Sequence, residues 1–222
     1  MKIQNVIGCD ETGVGDYLTP LVAAAVYIPE ANIGLLKSLG VQDSKNLNDR
    51  QILEIFERIK MKIKSNVRSF SQAQYNFLNQ KYNAHELKWI LHTRCINALY
   101  PRIDKVEYIV VDKFATQKNI DKYNDNILKD KDLGLTKVDN KILLLEEKGE
   151  QFHTAVAAAS IVARAHLISL MKLQNEKWKM NFPLGTNSRV EDFAKQFVKN
   201  HGKSNLYKVA KYHFKTTQNV LE

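Results

Sequence analysis

Residues 21–28 form an unbroken apolar run, LVAAAVYI, with a proline on each side. A run of this length and composition is typical of a strand buried inside a sheet. A shorter apolar segment, residues 5–11, precedes it, and only a loop separates the two. This short connection predicts an antiparallel pair, because parallel strands need a longer crossover.

Helical and strand-like patterns alternate along the rest of the chain. Apolar residues recur at helical spacing in some segments, and other segments are short, apolar and bounded by polar residues. The alternation predicts an α/β fold in which helices flank a mixed sheet. The predicted strands are residues 67–71 (at a sheet edge), 106–112 and 141–145; the predicted helices are residues 48–64, 83–100, 154–173 and 190–200, with one short helix inside the polar stretch 118–140.

The residue content argues against several classes of protein. The two cysteines, Cys9 and Cys95, are too few for a disulfide framework, which favours a reduced, cytoplasmic setting. No apolar run approaches the roughly 20 residues that cross a bilayer, and acidic side chains occur too early for a signal peptide. The histidines form no paired zinc motif, and no P-loop or dinucleotide fingerprint occurs. We therefore expect no membrane partner and no nucleotide cofactor.

The charge of the chain is unevenly distributed. The sequence has 33 Lys and Arg against 24 Asp and Glu, a net charge of +9. Most of the excess lies in residues 160–222, which contain 11 basic and 4 acidic residues. A concentrated basic region fits a surface that binds the phosphate backbone of a nucleic acid. Charge alone does not decide whether the chain binds a nucleic acid, because many unrelated lysine-rich enzymes are equally basic.

Acidic residues stand at the ends of predicted strands. Asp10 and Glu11 end the first strand, Asp112 ends the strand at 106–112, and Glu146, Glu147 and Glu150 follow the strand at 141–145. The loops beyond strand ends are a common place for a site in an open α/β sheet. Carboxylates that meet there repel one another unless a cation neutralises them, and Mg²⁺ or Mn²⁺ prefers oxygen ligands. The alternative interpretation is that each is a solvated turn residue.

Small and basic residues near these carboxylates are candidates for substrate contacts. The glycines in residues 13–15 let the backbone approach a phosphate or a sugar hydroxyl, or simply form a turn. Ser44 and Lys45 suit phosphate contacts, or a loop that caps a helix. Ser160 and Arg164 lie one helical turn apart and could face the site, although the small residues around Ser160 chiefly indicate close packing.

Several of these segments together resemble the type 2 ribonucleases H, and ribonuclease HIII more closely than ribonuclease HII. The first is Asp-Glu-Thr-Gly-Val-Gly at residues 10–15, followed by Asp16. Ribonuclease HII typically has Arg where this chain has Val14, and Pro where it has Asp16. The other resembling segments, in the order of the family, are residues 43–47, 83–97 with His92, 111–114, 147–164, 183–202 and 210–214.

The resemblance implies a ribonuclease H-like fold and an endonuclease that hydrolyses the RNA strand of RNA·DNA hybrids, leaving 5′-phosphate and 3′-hydroxyl ends. It implies two Mg²⁺ or Mn²⁺ ions at the site. The implied catalytic and metal-binding residues are Asp10, Glu11, Asp112 and Glu150, with Glu147 in place of Glu150 if the register shifts. The substrate contacts that we expect, partly from the resemblance and partly from residue chemistry, are Gly13, Val14, Gly15, Ser44, Lys45, Lys148, Ser160 and Arg164.

Other functions remain open at this point. One is a ribonuclease HII-like enzyme that removes single ribonucleotides from DNA, and another is a structure-specific nuclease of the wider ribonuclease H-like superfamily. A third is a hybrid-binding module without catalysis.

The position of Asp10 also sets an expectation about domains. Ribonuclease HIII usually carries an N-terminal substrate-binding domain, and Asp10 comes too early in this sequence to follow one. We expect a single catalytic domain over residues 1–222, monomeric, with residues 160–222 as its basic helical part. Binding of the hybrid would then depend on that part.

Overall fold

A mixed sheet with helices on both faces forms the centre of the computed structural model, which describes residues 5–41 and 46–222. The strands are β1 (Val6–Thr12), β2 (Leu21–Tyr27), β3 (Lys64–Phe70), β4 (Tyr108–Asp112) and β5 (Leu143–Glu146). Their order is β3-β2-β1-β4-β5. The pairs β1–β2 and β2–β3 are antiparallel, and β1–β4 and β4–β5 are parallel. The predicted α/β class, the mixed sheet and the antiparallel first pair are confirmed.

The predicted helices lie at the right places in the chain, but several of them differ in length from the observed ones. They are α1 (Glu30–Ser38), α2 (Asp49–Ile59), α3 (Gln72–Asn79), α4 (Ala84–Leu99), α5 (Gln117–Ile127), α6 (Gly149–Phe152), α7 (Thr154–Trp178), α8 (Ser188–His201), α9 (Lys203–Leu206) and α10 (Thr216–Leu221). The prediction that a helix runs to residue 64 was wrong, because the chain leaves α2 after Ile59 and enters β3 at Lys64. Helices α1, α3, α6, α9 and α10 were not predicted, and α7 is longer than expected.

Local hydrogen bonding determines where several helices begin. Helices α2, α3 and α4 each start at a capping box, in which the cap side chain and the side chain three residues later bond each other's backbone N–H. In α4 the cap is Asn83, the first residue of the helix that the sequence predicts over residues 83–100. This start determines which side chains α4 presents to the sheet.

Successive residues of β1 point to opposite faces of the sheet, as in any strand. Ile7 and Cys9 pack in the apolar cluster that contains the buried face of α4. Gly8 lies on the other face, against α7. The two acidic residues that follow, Asp10 and Glu11, therefore point to different layers of the protein.

Helix α7 lies unusually close to β1. A Cβ atom at Gly8 would be 2.2 Å from backbone atoms of Ala155 and Val156, so the contact requires glycine at this position. By length and composition α7 could cross a membrane, but 61% of its most apolar window is buried inside the protein. Its apolar character is accounted for by its position against β1 and β2.

Candidate active site

The carboxyl ends of β1 and β4 meet at one edge of the sheet. These strands are parallel neighbours, and their register pairs Cys9 with Val111. Asp10 and Asp112, one residue further on each strand, therefore lie side by side at this edge. The next parallel pair places Glu146 of β5 opposite Asp112. Asp10, Asp112 and Glu146, three of the acidic residues at predicted strand ends, therefore lie together as expected.

Asp10 points to the α7 side and is 8% exposed. Its Oδ1 accepts a hydrogen bond from the backbone N–H of Glu11 at 2.8 Å, and its carboxylate is also hydrogen-bonded to the side chain of Ser160. Burial, and then the negative charges of Glu11 and Asp112, raise the pKa of Asp10 well above its ordinary value. The carboxylates are thus close enough to repel one another.

Glu11 points to the α4 side, where two basic side chains bind its carboxylate. The Nε2 of His92 lies 2.8 Å from Oε2, and the Nζ of Lys88 lies 3.2 Å from Oε1. Burial by itself would raise the pKa of Glu11, but His92 and then Lys88 outweigh that effect and lower it. Glu11 is therefore held ionised and in a fixed orientation.

Sequence reasoning missed Lys88 and used His92 only as part of the family resemblance. Both are buried, at 6% and 0% exposure, and they lie one turn apart on α4. The ammonium of Lys88 is 4.2 Å from the centre of the Phe114 ring, and the His92 ring stacks on the same ring. The available signal was the i, i+4 spacing of two basic residues that flank the apolar run Trp89–Leu91.

Burial distinguishes Glu150 from Glu147, the two candidates for the fourth acidic position. Glu150 is 2% exposed, and the backbone N–H of its neighbour Gly149 donates to Oδ1 of Asp112 at 2.9 Å. Glu147 is exposed and bonds Lys113 at 2.8 Å, which lowers the pKa of its carboxyl group. This arrangement favours Glu150 over Glu147 as the residue that joins Asp112.

The glycine turn, residues 13–19, connects β1 to β2 beside these carboxylates. Gly13 has φ +82°, and a Cβ there would lie 2.2 Å from the carbonyl oxygen of Pro20, so only glycine fits. Val14 and Gly15 are exposed, and their amides make no hydrogen bond to any residue in the described ranges. Both amides are consequently available to a substrate.

The remaining predicted substrate contacts differ in exposure and in their partners. Lys148 is exposed and precedes Glu150 by two residues. Arg164 donates from Nε and Nη2 to Oδ1 of Asp49, at 3.0 and 2.8 Å, so its guanidinium is already engaged at the start of α2. Ser44 and Lys45 lie outside the described residues.

The carboxylates fit a hard divalent cation by chemistry and charge. Every donor is an oxygen, and a cation would relieve the repulsion that raises the pKa of Asp10. Within residues 5–41 and 46–222, however, no three His, Cys, Asp or Glu side chains converge closely enough to hold one ion. Asp10, Glu11 and Asp112 are instead bonded to protein donors, which a bound cation would have to replace.

Replacing Lys88 tests the orientation of Glu11. We expect Lys88→Met to lower the hybrid cleavage that the resemblance implies, measured as kcat/KM, by about 10- to 100-fold, the loss typical when a group that orients a ligand side chain is removed. Lys37→Met is the control, because exposed Lys37 lies in α1, which follows the end of β2 at the opposite edge of the sheet. An unchanged kcat/KM in Lys88→Met would show that Glu11 does not depend on this contact.

Comparisons with known proteins extend over nearly the whole chain. The sequence model of the family described as Ribonuclease HII matches residues 7–217. Over 216 residues the chain is 36% identical to a Ribonuclease HIII from Enterococcus faecalis, a match that covers 96% of this chain and 68% of that protein. It is 34% identical over 225 residues to a Ribonuclease HIII from Ureaplasma parvum, covering 99% and 68%.

Solved structures show the same relationship. The crystal structure of Bst-RNase HIII in complex with Mn²⁺ is similar to this chain with a TM-score of 0.90 at 30% identity, covering 99% of this chain and 70% of that one. Ribonuclease H2 from Pyrococcus horikoshii OT3 has a TM-score of 0.78 at 24% identity, covering 97% and 96%. The second similarity shows a shared fold.

Proposed function

The chain belongs to the ribonuclease HII family, and we propose that the carboxylates at the ends of β1 and β4 form its catalytic site. As a ribonuclease H, it is an endonuclease that hydrolyses the RNA strand of RNA·DNA hybrids. The observation that carries the proposed site is electrostatic: buried Asp10 has its pKa raised further by Glu11 and Asp112. Groups perturbed in this way are concentrated at functional sites.

Divalent metal use is supported by the Mn²⁺ complex of Bst-RNase HIII. In this chain Asp10, Glu11, Asp112 and Glu150 would hold two ions, Mg²⁺ or Mn²⁺. Such ions, when bound, supply activation of water and stabilisation of charge at the phosphate.

The chain's own residues orient the site and its substrate. Ser160 holds the carboxylate of Asp10 on the α7 side, while Lys88 and His92 hold Glu11 on the α4 side. The exposed amides of Val14 and Gly15 would donate to the 2′-hydroxyl groups that distinguish RNA from DNA. Lys148 would contact a phosphate near the bond that is cleaved, as would Ser44 and Lys45.

Hybrid cleavage without a requirement for an RNA–DNA junction is favoured by position 14. This chain has Val14 in the turn where ribonuclease HII typically has Arg, and the relatives described above are named Ribonuclease HIII. We expect the protein to act as a monomeric enzyme in the cytoplasm.

The test compares two substrates of the same sequence, a continuous RNA·DNA hybrid and a DNA duplex with one ribonucleotide. With Mg²⁺, and separately with Mn²⁺, we expect several cuts in the RNA strand of the hybrid and much slower cleavage of the second duplex. The products should carry 5′-phosphate and 3′-hydroxyl ends. A DNA duplex and a reaction with EDTA are the controls.

The other outcomes identify the alternatives. Cleavage restricted to the single ribonucleotide would indicate a ribonuclease HII-like enzyme. Tight binding of the hybrid without cleavage under either metal would indicate a binding module and would contradict the proposed site.

A further inference from the structure

Lys211 is a completely buried lysine that joins the C-terminal region to the glycine turn. Its Nζ donates to the carbonyl oxygen of Gly13 and, at 2.6 Å, to the carbonyl oxygen of Asp16. Its backbone N–H donates to the carbonyl oxygen of Tyr17 at 2.9 Å. One residue of the C-terminal region thus makes three bonds to a turn almost 200 positions earlier in the chain.

The surroundings of Lys211 are not those of a buried ion pair. Among the described residues, no carboxylate lies within ion-pair distance of its ammonium; Thr19 Oγ1 is 3.5 Å away, and the rings of Tyr75 and Phe214 are each 5.8 Å away. Burial, opposed in part by the negative charge of Asp16, lowers the pKa of Lys211 to about 7. Lysine is rarely buried without a paired charge, so the carbonyl oxygens of the turn are its principal partners.

The geometry of the peptide bond connects this contact to the site. In a trans peptide the carbonyl oxygen of one residue and the N–H of the next point in opposite directions. Because Lys211 holds the Gly13 oxygen inward, the N–H of Val14 in the same peptide plane must point outward. Val14 is 36% exposed at this position, on the same turn as the amide of Gly15.

We propose that Lys211 is a positioning residue for recognition of the RNA strand: it holds the glycine turn so that the Val14 amide faces the 2′-hydroxyl groups of the substrate. This inference rests on the proposed function. It assigns Lys211 a role inside the protein, whereas its position in the basic region 160–222 suggested a surface contact with phosphate.

The test measures discrimination between two duplexes. Dissociation constants are determined for an RNA·DNA hybrid and for a DNA duplex of the same sequence, with Ca²⁺ or without metal so that cleavage does not interfere. We expect Lys211→Met to reduce the ratio of the DNA constant to the hybrid constant by about fivefold, since a net hydrogen bond contributes ~1 kcal/mol and 1.4 kcal/mol is tenfold. In cleavage assays KM for the hybrid should rise more than kcat falls.

The ratio separates positioning from a loss of stability. A smaller folded fraction lowers the active concentration equally for both duplexes and leaves the ratio unchanged. Thr217→Val is the matched control: it removes a buried bond from the Thr217 hydroxyl to the Tyr17 hydroxyl but leaves the carbonyls of Gly13 and Asp16 bonded to Lys211. It should lower the melting temperature and keep the wild-type ratio.

Two results would overturn this role for Lys211. One is a wild-type ratio in Lys211→Met; the other, if that variant does not fold, is a wild-type ratio in Lys211→Leu, which likewise has no donor for the carbonyl oxygens of Gly13 and Asp16. A wild-type protein that does not prefer the hybrid over DNA would instead contradict the proposed function, so the two failures are distinguishable.

Discussion

Asp10→Asn should abolish most cleavage of an RNA·DNA hybrid, with a fall in kcat of at least about 10³-fold. The physical reason is that metal ions at such a centre contribute several kcal/mol, and 1.36 kcal/mol is tenfold in rate. Asn keeps the shape of the side chain, so the hydrogen bond from the Glu11 amide can remain. Single-turnover cleavage, hybrid binding and Mn²⁺ titration are the measurements, and we expect retained hybrid binding with weakened Mn²⁺ binding.

The same variant should be more stable than the wild type at pH 7 in metal-free buffer. The pKa of Asp10 is raised above its ordinary value of 3.8 by burial and by neighbouring carboxylates. The folded protein therefore retains a proton that the unfolded chain loses above pH 3.8, and stability falls as the pH rises from there through the folded pKa. Asparagine removes this loss, so the gain in melting temperature should disappear below pH 3.8.

Asp104→Asn is the matched control for both effects. Asp104 is exposed and precedes the start of β4, whereas Asp112 stands at the end of that strand. We expect wild-type cleavage and no gain in stability. Unchanged cleavage in Asp10→Asn would remove Asp10 from the mechanism, and unchanged stability would show that burial and the neighbouring carboxylates do not raise the pKa of Asp10.

Gly8→Ala should destabilise the protein by about 3 kcal/mol or more, at the upper end of the usual effect of overpacking. The added Cβ would lie 2.2 Å from the carbonyl carbon of Ala155 and from the amide nitrogen of Val156. Both are backbone atoms, so α7 as a whole would have to move away from β1. Urea unfolding measures the loss, and cleavage should fall as well because α7 carries Ser160.

Gly34→Ala is the control, and its expected effect on the free energy of unfolding has the opposite sign. Gly34 lies in α1, and a Cβ there meets no atom within 4 Å. Replacing a helical glycine with alanine in open space should stabilise the protein by about 0.5–1 kcal/mol. If Gly8→Ala changed the free energy of unfolding by no more than about 1 kcal/mol, the result would contradict the close contact between β1 and α7.

Much of the fold could be predicted because its signals are local. The apolar run at residues 21–28 predicts β2, and the helical spacing of apolar residues in 83–100 predicts α4. The end of α2 was predicted five residues too late, because apolar spacing continues past Ile59 to Ile63 while the chain already turns toward β3. Helix α3 was missed although Ser71 forms a capping box, a signal that the sequence analysis did not use.

The candidate site was predictable only in part. Acidic residues at the ends of apolar strands are visible in the sequence, and parallel pairing of β1 with β4 then brings Asp10 beside Asp112. What each carboxylate contacts depends on the face of the strand and on the helix that covers it. Lys88 reaches Glu11 from 77 positions away, and no local pattern encodes that distance.

The sequence by itself determined the order of the five strands and of the helices α2, α4, α5, α7 and α8, the acidic strand ends and the basic character of residues 160–222. These follow from periodicity, capping and composition, which act over a few residues. Only the tertiary structure decided that Asp10 and Glu11 have different partners and that Lys211 is buried against the glycine turn. The physical reason is that burial and hydrogen bonding between distant segments depend on how complete layers pack, and charge counted along a chain does not distinguish an internal ammonium from a surface one.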